Sequence, residues 1–387
     1  MRPLASALFR LVWRSAVATA GLVTLILLYC LLRPNLVTPE PVLAAAVDRL
    51  PATARHDGMS DLIHWRGQIW LAHVSSPWHF ASDRSRIVLR RSRDGVDWED
   101  VTSFSANGED IRDPKLAVIG GRLNVYWLQN REFPEPKPYS TFVSSTADGS
   151  AWDEAAAVRP EGWLLWRPQT LDGVTHYVTG YWHEHGRAAL FRSVDGRQWT
   201  HVSDVLAEGH VDETDFTFVG TRIVAAARLE GIGPLPWLGD PRGGTVIATA
   251  DPPYTTWSRT VDLTARLDGP CLFTWQGRAY AIGRFDPMPG GSLLGSVLSR
   301  KRTGLYLVSS KRLELLSLLP SSGDTSYAGV AVSGADLLVS YYTSRTDRDY
   351  PWLLAMAMPS ELRLARIPLL SLQSLAEARS PALQNES

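Results

Sequence analysis

The densest chemistry in the sequence is Asp212-Glu213-Thr214-Asp215, where three acids fall within four positions. Such crowding is costly unless the carboxylates are solvated, paired or used. Elsewhere Arg112 precedes Asp113, Asp61, Arg167 and Asp268 stand at the start of β-rich segments, and Asp324 lies three residues before Tyr327. Arg228, Arg284 and Arg345 add guanidinium groups, which grip carboxylates through paired hydrogen bonds. Carboxylates, arginines and a tyrosine together suit glycosidic-bond hydrolysis, which needs an acid for the leaving oxygen and a nucleophile or base opposite it. A phenol, with a pKa of about 10, stays protonated near neutral pH unless a neighbouring base takes its proton. Each residue also has a structural role open to it. Asp and Arg at strand starts satisfy backbone groups or pair with each other, and a tyrosine packs well in a core.

Other chemistries find little support. His183 and His185 would share one face of a strand, but no third ligand is apparent, so no metal or other cofactor is expected. No G-x-S-x-G elbow, P-loop or dinucleotide fingerprint occurs. With only Cys30 and Cys271, a disulfide framework and a Cys-rich zinc site are excluded. Lys+Arg 39 against Asp+Glu 40 leaves a net charge of -1, which gives no footprint for nucleic acid. Trp78, Trp166, Trp182 and Trp237 fall near expected loops, where an indole can stack on a sugar ring or simply join the core.

The elements that must position these residues repeat. RSRDGVDW (91–98), STADGSAW (145–152), RSVDGRQW (192–199) and a degenerate ATADPPYTTW (248–257) each follow a β-rich run. Asp-Gly favours a tight turn, since glycine accepts positive φ and the carboxylate accepts backbone N–H bonds. In the first three copies a Trp three residues after the Gly is placed to plug between neighbouring sheets. In counterpoint, strand–turn–strand segments begin at residues 60, 113, 167, 213, 269 and 325. A period of about fifty residues per four-stranded unit is that of a β-propeller blade. The pattern predicts an all-β, six-bladed propeller over 57–367, closed into a ring and monomeric. Unrelated hairpins in a sandwich would not repeat six times in order. The loops that lead into the innermost strands converge on one end of the central channel, which gathers Arg112, Asp113, Arg167, Glu213, Asp215 and Tyr327.

Ahead of this domain, Ala16–Leu32 is an uncharged apolar run preceded by Arg2, Arg10 and Arg14. It predicts a single transmembrane anchor (16–32) with residues 1–15 in the cytoplasm and the propeller outside it. A cleaved signal peptide is the rival reading, with Ala44, Ala45 and Ala46 as small residues beyond the run. Tyr29 before Cys30 does not suit a lipoprotein. The Pro-containing stretch 33–56 reads as a linker, and 368–387 as a short helix or frayed tail.

The turn segments resemble the Asp-box of sialidases, S-x-D-x-G-x-x-W, here one residue shorter: Ser92, Asp94, Gly95, Trp98, and again Ser193, Asp195, Gly196, Trp199. DETDFTFVGTRIVAAAR (212–228) resembles the sialidase element in which a glutamate precedes a strand pair ending in an arginine. DTSYAGVAVSGADLLVSYY (324–342) resembles the element carrying the catalytic tyrosine, and RSRIVLRRSRDGVDW (84–98) the first blade, with an aspartate just upstream. The resemblance implies Tyr327 as nucleophile, Glu213 as its base, Asp83 as acid/base and Arg228 in a cluster that binds the substrate carboxylate. It also implies a neutral phenol because the sugar is anionic. Two departures stand out. The first-blade F/Y-R-I-P motif is replaced by Gly58-Met59-Ser60-Asp61, and the third arginine is either Arg284 or Arg345. Arg112-Asp113-Pro114 is similar to the R-D-P of five-bladed glycosidases acting on neutral sugars. The expected function is a membrane-anchored glycoside hydrolase acting on an extracytoplasmic glycan, with an acidic sugar. The alternative is a non-catalytic propeller that binds a glycan or protein.

Overall fold

Six antiparallel sheets, each led by one of the repeated segments, surround a common axis in the computed structural model, which describes residues 2–37, 46–131, 135–286 and 295–384. The inner strands are His56–Trp65, Asp110–Ile119, Trp163–Leu165 continued by Gln169–Thr170, Val211–Val219, Leu267–Trp275 and Thr325–Ser333. Each inner strand pairs with the next strand in sequence, and the sheets then run outwards in chain order. Inner strands pack against one another around the axis, so Val211–Val219 is buried along nearly its whole length although it contains three acids. Buried carboxylates must find cations or donors. That requirement shapes the channel.

The Asp-turns join third to fourth strands and lock neighbouring sheets. Ser92 Oγ accepts from Gly95 N at 2.8 Å, and Asp94 Oδ1 accepts from Val96 N at 2.8 Å; the turns at 146–149 and 193–196 repeat this pattern. Gly149, at φ 84°, lies so close to Trp70 of the preceding sheet that a Cβ would sit 2.9 Å from its ring. Trp152 from the same turn meets Trp70 and Phe104 edge-on, and Trp199 meets Tyr126. These tryptophans fill the wedge between sheets, as their spacing predicted.

The ring is closed by chain segments far apart in sequence. Ala46–Arg49 pairs antiparallel with Glu361–Pro368 as the outermost strand of the sixth sheet, with Val47 opposite Ala365. The expected linker 33–56 therefore contributes a strand, and His56 already belongs to the first inner strand. At the other end, Leu369–Gln384 is a helix whose Leu369, Leu372 and Ala376 are buried.

Arg2–Leu32 is one helix, and its segment Val12–Leu32, 21 residues with mean hydropathy 2.2, is long and apolar enough to cross a membrane. Antiparallel pairing places the start of each inner strand, the second-to-third-strand loops and the links between sheets on one face of the disk. The Asp-turns lie on the other face. The first of these faces carries the candidate site.

Candidate active site

One irregularity recurs where the inner strands begin. Between Gly58 and Asp61, Arg112 and Lys115, Val211 and Thr214, Asp268 and Cys271, and Ser326 and Gly329, two residues oppose a single residue of the second strand. A bulge of this kind bends the strand and re-aims a side chain. The bulged residues include Asp113, Glu213, Gly269 and Tyr327, and Asp113 and Tyr327 hold positive φ of 52° and 46°. That backbone is unusual for residues with a Cβ and is found where surrounding structure fixes it.

Tyr327 and Glu213 meet across the channel: the phenol donates a short hydrogen bond to Glu213 Oε1. Glu213 Oε2 accepts from Gly269 N at 2.7 Å and lies 3.0 Å from Arg228 Nη1. A side chain at Gly269 would strike the Tyr327 ring, so glycine here both admits the ring and supplies a donor. Arg284 covers the tyrosine, its guanidinium 5.0 Å from the ring centroid, and Trp166 meets the ring edge-on at 6.1 Å. Burial, reinforced by the Glu213 charge, raises the Tyr327 pKa well above that of a free phenol, against the pull of Arg228 and Arg284. Burial thus favours the neutral phenol.

The two arginines are themselves held. Arg228 makes a two-pronged pair with Asp212 at 2.8 and 2.6 Å and lies 3.6 Å from Glu230. Burial pushes Asp212 up to about 8 against the effect of Arg228. Arg284 donates to Thr325 O at 2.9 Å and to Tyr342 Oη at 2.9 Å, and lies 3.3 Å from Asp324. Asp268 sits beneath both, bonded to Arg266 at 2.8 Å; burial would raise its pKa, but Arg266, Lys301, Arg228 and Arg284 hold it well below the usual range. Arg345, by contrast, is exposed on the rim and pairs with Asp347. Of the two candidates for the third arginine, Arg284 is the one at the tyrosine.

The remaining expected residues divide. Asp113 is buried, Oδ1 has no hydrogen-bond partner, and burial raises its pKa, with Glu213 adding to the shift and Lys115 opposing it. Arg112 turns to Asp110 and lies over Tyr139. Arg167 bridges Asp61 at 2.9 Å and Asp215 at 2.7 Å, tying three sheets together on the axis; burial raises Asp215 to about 6, against the opposing effect of Arg167. Asp83 is exposed, beside a cavity of about 270 Å³ lined by Trp78, Ser82, Arg84, Asp110 and Arg131. Trp182 packs on Trp163 away from the tyrosine, and the Trp237 side chain lies outside the described residues.

Several further residues surround the site, and of these only His185 stood out in the sequence. His185 approaches Asp212 at 3.4 Å and Glu230 at 3.9 Å without His183, and Arg228 already supplies the cation for those acids. His79 bonds Asp324 Oδ2 at 2.8 Å, with His56 at 3.4 Å, and Trp352 donates to Asp324 Oδ1 at 3.1 Å. His79 and Trp352 lie in second-to-third-strand loops, which vary from sheet to sheet and break the repeat. Arg266 was legible only as a partner two residues before Asp268 on the same strand face.

No protein-family model matches the sequence, and no curated protein matches it. Solved structures match in fold. Trypanosoma rangeli sialidase superposes with a TM-score of 0.60 at 12% identity, over 90% of this chain and 62% of that one. The same sialidase in complex with sialic acid gives 0.57 at 12% identity, over 90% of this chain and 61% of that one. The chain thus spans about three fifths of the length of these proteins. It has the six-bladed β-propeller fold of a sialidase, and at 12% identity the likeness shows the fold alone.

Proposed function

We propose that this chain is a sialidase-like glycoside hydrolase, anchored by its N-terminal helix, that acts on an extracytoplasmic glycan bearing an acidic sugar. The observation that carries the reading is the hydrogen bond from Tyr327 to Glu213, with Arg228 and Arg284 flanking it. Tyr327 Oη attacks the anomeric carbon as Glu213 takes its proton, and the leaving oxygen is protonated by a carboxylic acid. Asp113 suits that acid role better than Asp83, because its raised pKa keeps a proton available beside the pair. Arg284 and Arg228 face the substrate carboxylate. Arg112, at the channel mouth, is the further candidate contact. Arg167 and Asp215 hold the channel in register rather than meeting the sugar.

The experiment uses purified protein with aryl sialosides, other acidic aryl glycosides and neutral ones. Tyr327→Phe keeps the ring and removes the attacking oxygen, so turnover should fall by orders of magnitude with the fold intact. Glu213→Gln should match it, and the double variant should cost little more, because residues acting as one unit are not additive. Equal hydrolysis by wild type and Tyr327→Phe would discard the mechanism. A second reading, a propeller that binds glycan without cleaving it, is favoured by one observation: Arg228 is already neutralised by Asp212, Glu213 and Glu230. Glycan binding with no turnover on any substrate would establish that alternative.

A further inference from the structure

The helix Val12–Leu32 does not end at a free tether. Arg348 donates to Leu32 O at 2.9 Å, Asp349 N to Arg33 O at 3.0 Å, and Asn35 N to Asp347 O at 3.2 Å. Asn35 also donates through its side chain to Thr346 O at 3.0 Å, while Arg302 bridges Asn35 Oδ1 at 2.9 Å and Asp349 Oδ1 at 2.7 Å. Residues 344–360 form the second-to-third-strand loop of the sixth sheet, on the face where the inner strands begin. The same loop carries Trp352, which bonds Asp324 and lies 5.0 Å from the Arg284 guanidinium. The end of the apolar helix is therefore fastened to the rim of the site itself.

We propose that the channel mouth faces the bilayer spanned by Val12–Leu32, and that the site takes a sugar carried on that membrane, a glycolipid headgroup, rather than a glycan free in solution. The substrate half of this rests on the glycosidase reading; the orientation half does not. The span is about 31 Å of helix, enough for the hydrocarbon core. It is wholly unburied by the propeller, so it projects from the disk instead of lying across it. With Arg33 and Asn35 bonded to the rim immediately after Leu32, too little chain remains to turn the opposite face towards the lipid. Exposed aliphatic side chains occur on both faces, so they do not choose between them. The aromatic ones do. Outside the helix, among the described residues, the exposed large aromatic side chains are Trp78 and Phe80, both in a second-to-third-strand loop on the mouth side. Such rings favour the headgroup layer. Ile232, Leu235, Leu298 and Leu353 extend that apolar rim.

The test uses the full chain in phosphatidylcholine vesicles with Cys30→Ala, leaving Cys271 buried. Single cysteines, Ile232→Cys or Leu353→Cys on the mouth side and Val96→Cys or Val332→Cys on the other, are labelled with a polarity-sensitive fluorophore. Lipids with a nitroxide headgroup should quench the first pair several-fold and leave the second pair unchanged. Equal quenching, the reverse pattern, or a chain that no longer pellets with the vesicles overturns the orientation. In the second arm, one sugar is offered both as a soluble aryl glycoside and on a lipid in the same vesicles. Preferential turnover of the lipid form, lost on detergent extraction, is expected. Turnover without that preference overturns the substrate class and leaves the glycosidase reading standing. No turnover of either form, with the quenching pattern intact, overturns the glycosidase reading and supports the orientation.

Discussion

Asp113 and Asp83 offer a direct contrast in what a carboxyl can do at two levels of burial. Asp113 is enclosed by the channel with Oδ1 unpartnered and its pKa raised by burial, whereas Asp83 faces solvent. If Asp113 protonates the leaving oxygen, Asp113→Asn should reduce turnover by about 10²–10⁴-fold. Asp83→Asn should change it little. An acid must carry its proton, so the wild-type rate should fall as pH rises through the raised Asp113 pKa. A pH–rate profile of both variants checks this, and the opposite ranking would return the acid role to Asp83. His73 makes a stability prediction. Burial lowers its pKa from 6.5 to about 4, with Asp57 opposing the shift. Between those values the unfolded chain binds a proton that the folded protein does not, so stability falls as pH drops from 6.5 towards 4. The effect is on the order of 2–3 kcal/mol. Asp212 and Asp215, with raised pKa values, work in the opposite direction, so the informative quantity is a difference. Denaturant unfolding of wild type and His73→Gln at several pH values should show a shallower acid loss in the variant. Parallel curves would remove His73 as a contributor.

At the scale of elements, the Asp-turn is the device that joins one sheet to the next, and Gly149 is one of its tightest contacts. Gly149→Ala places a Cβ 2.9 Å from the Trp70 ring at a φ of 84°. It should cost about 1–3 kcal/mol. Gly108→Ala has a similar φ of 69° but nothing within 4 Å, so it should cost only the backbone part. Thermal unfolding of the two variants separates the terms, and equal losses would mean that packing against Trp70 contributes nothing. The legibility of the sequence follows from the same devices. The turns and the strand pairs repeat because every sheet faces the same wedge, and so six sheets and the order of Glu213, Arg228 and Tyr327 can be read from residue types. Arg284 and Arg345 could not be separated that way, since both fall near the end of a second-strand segment. The difference is that Arg284 lies within Arg278–Phe285 and points to the channel, while Arg345 lies beyond Asp336–Thr343 and reaches solvent. Ala46–Arg49 escaped notice because four largely exposed residues show no periodicity. His56 and His79 meet Asp324 only through the closed ring, a contact spanning about the whole domain.

The whole molecule joins an apolar helix to a propeller, and over the full chain Lys+Arg 39 nearly balances Asp+Glu 40. An anchor with Arg2, Arg10 and Arg14 before it should leave the C-terminus outside the cytoplasm. A reporter active only in the cytoplasm, fused after Ser387, should be silent; full activity would overturn this topology. The closure of the ring carries a consequence for biosynthesis. Ala46–Arg49 leaves the ribosome before every other strand of the propeller, yet its partner Glu361–Pro368 is the last of those strands made. The early strand must wait, unpaired and close to the point of membrane insertion, until the other five sheets have been translated. A chain truncated before Glu361 would lack both the partner and the seal. It would expose an open sheet edge at each end of an unfinished ring, the kind of species on which quality-control proteases and aggregation act. Loss of the chain from Glu361 onward should therefore be seen as lost protein before it is seen as lost chemistry.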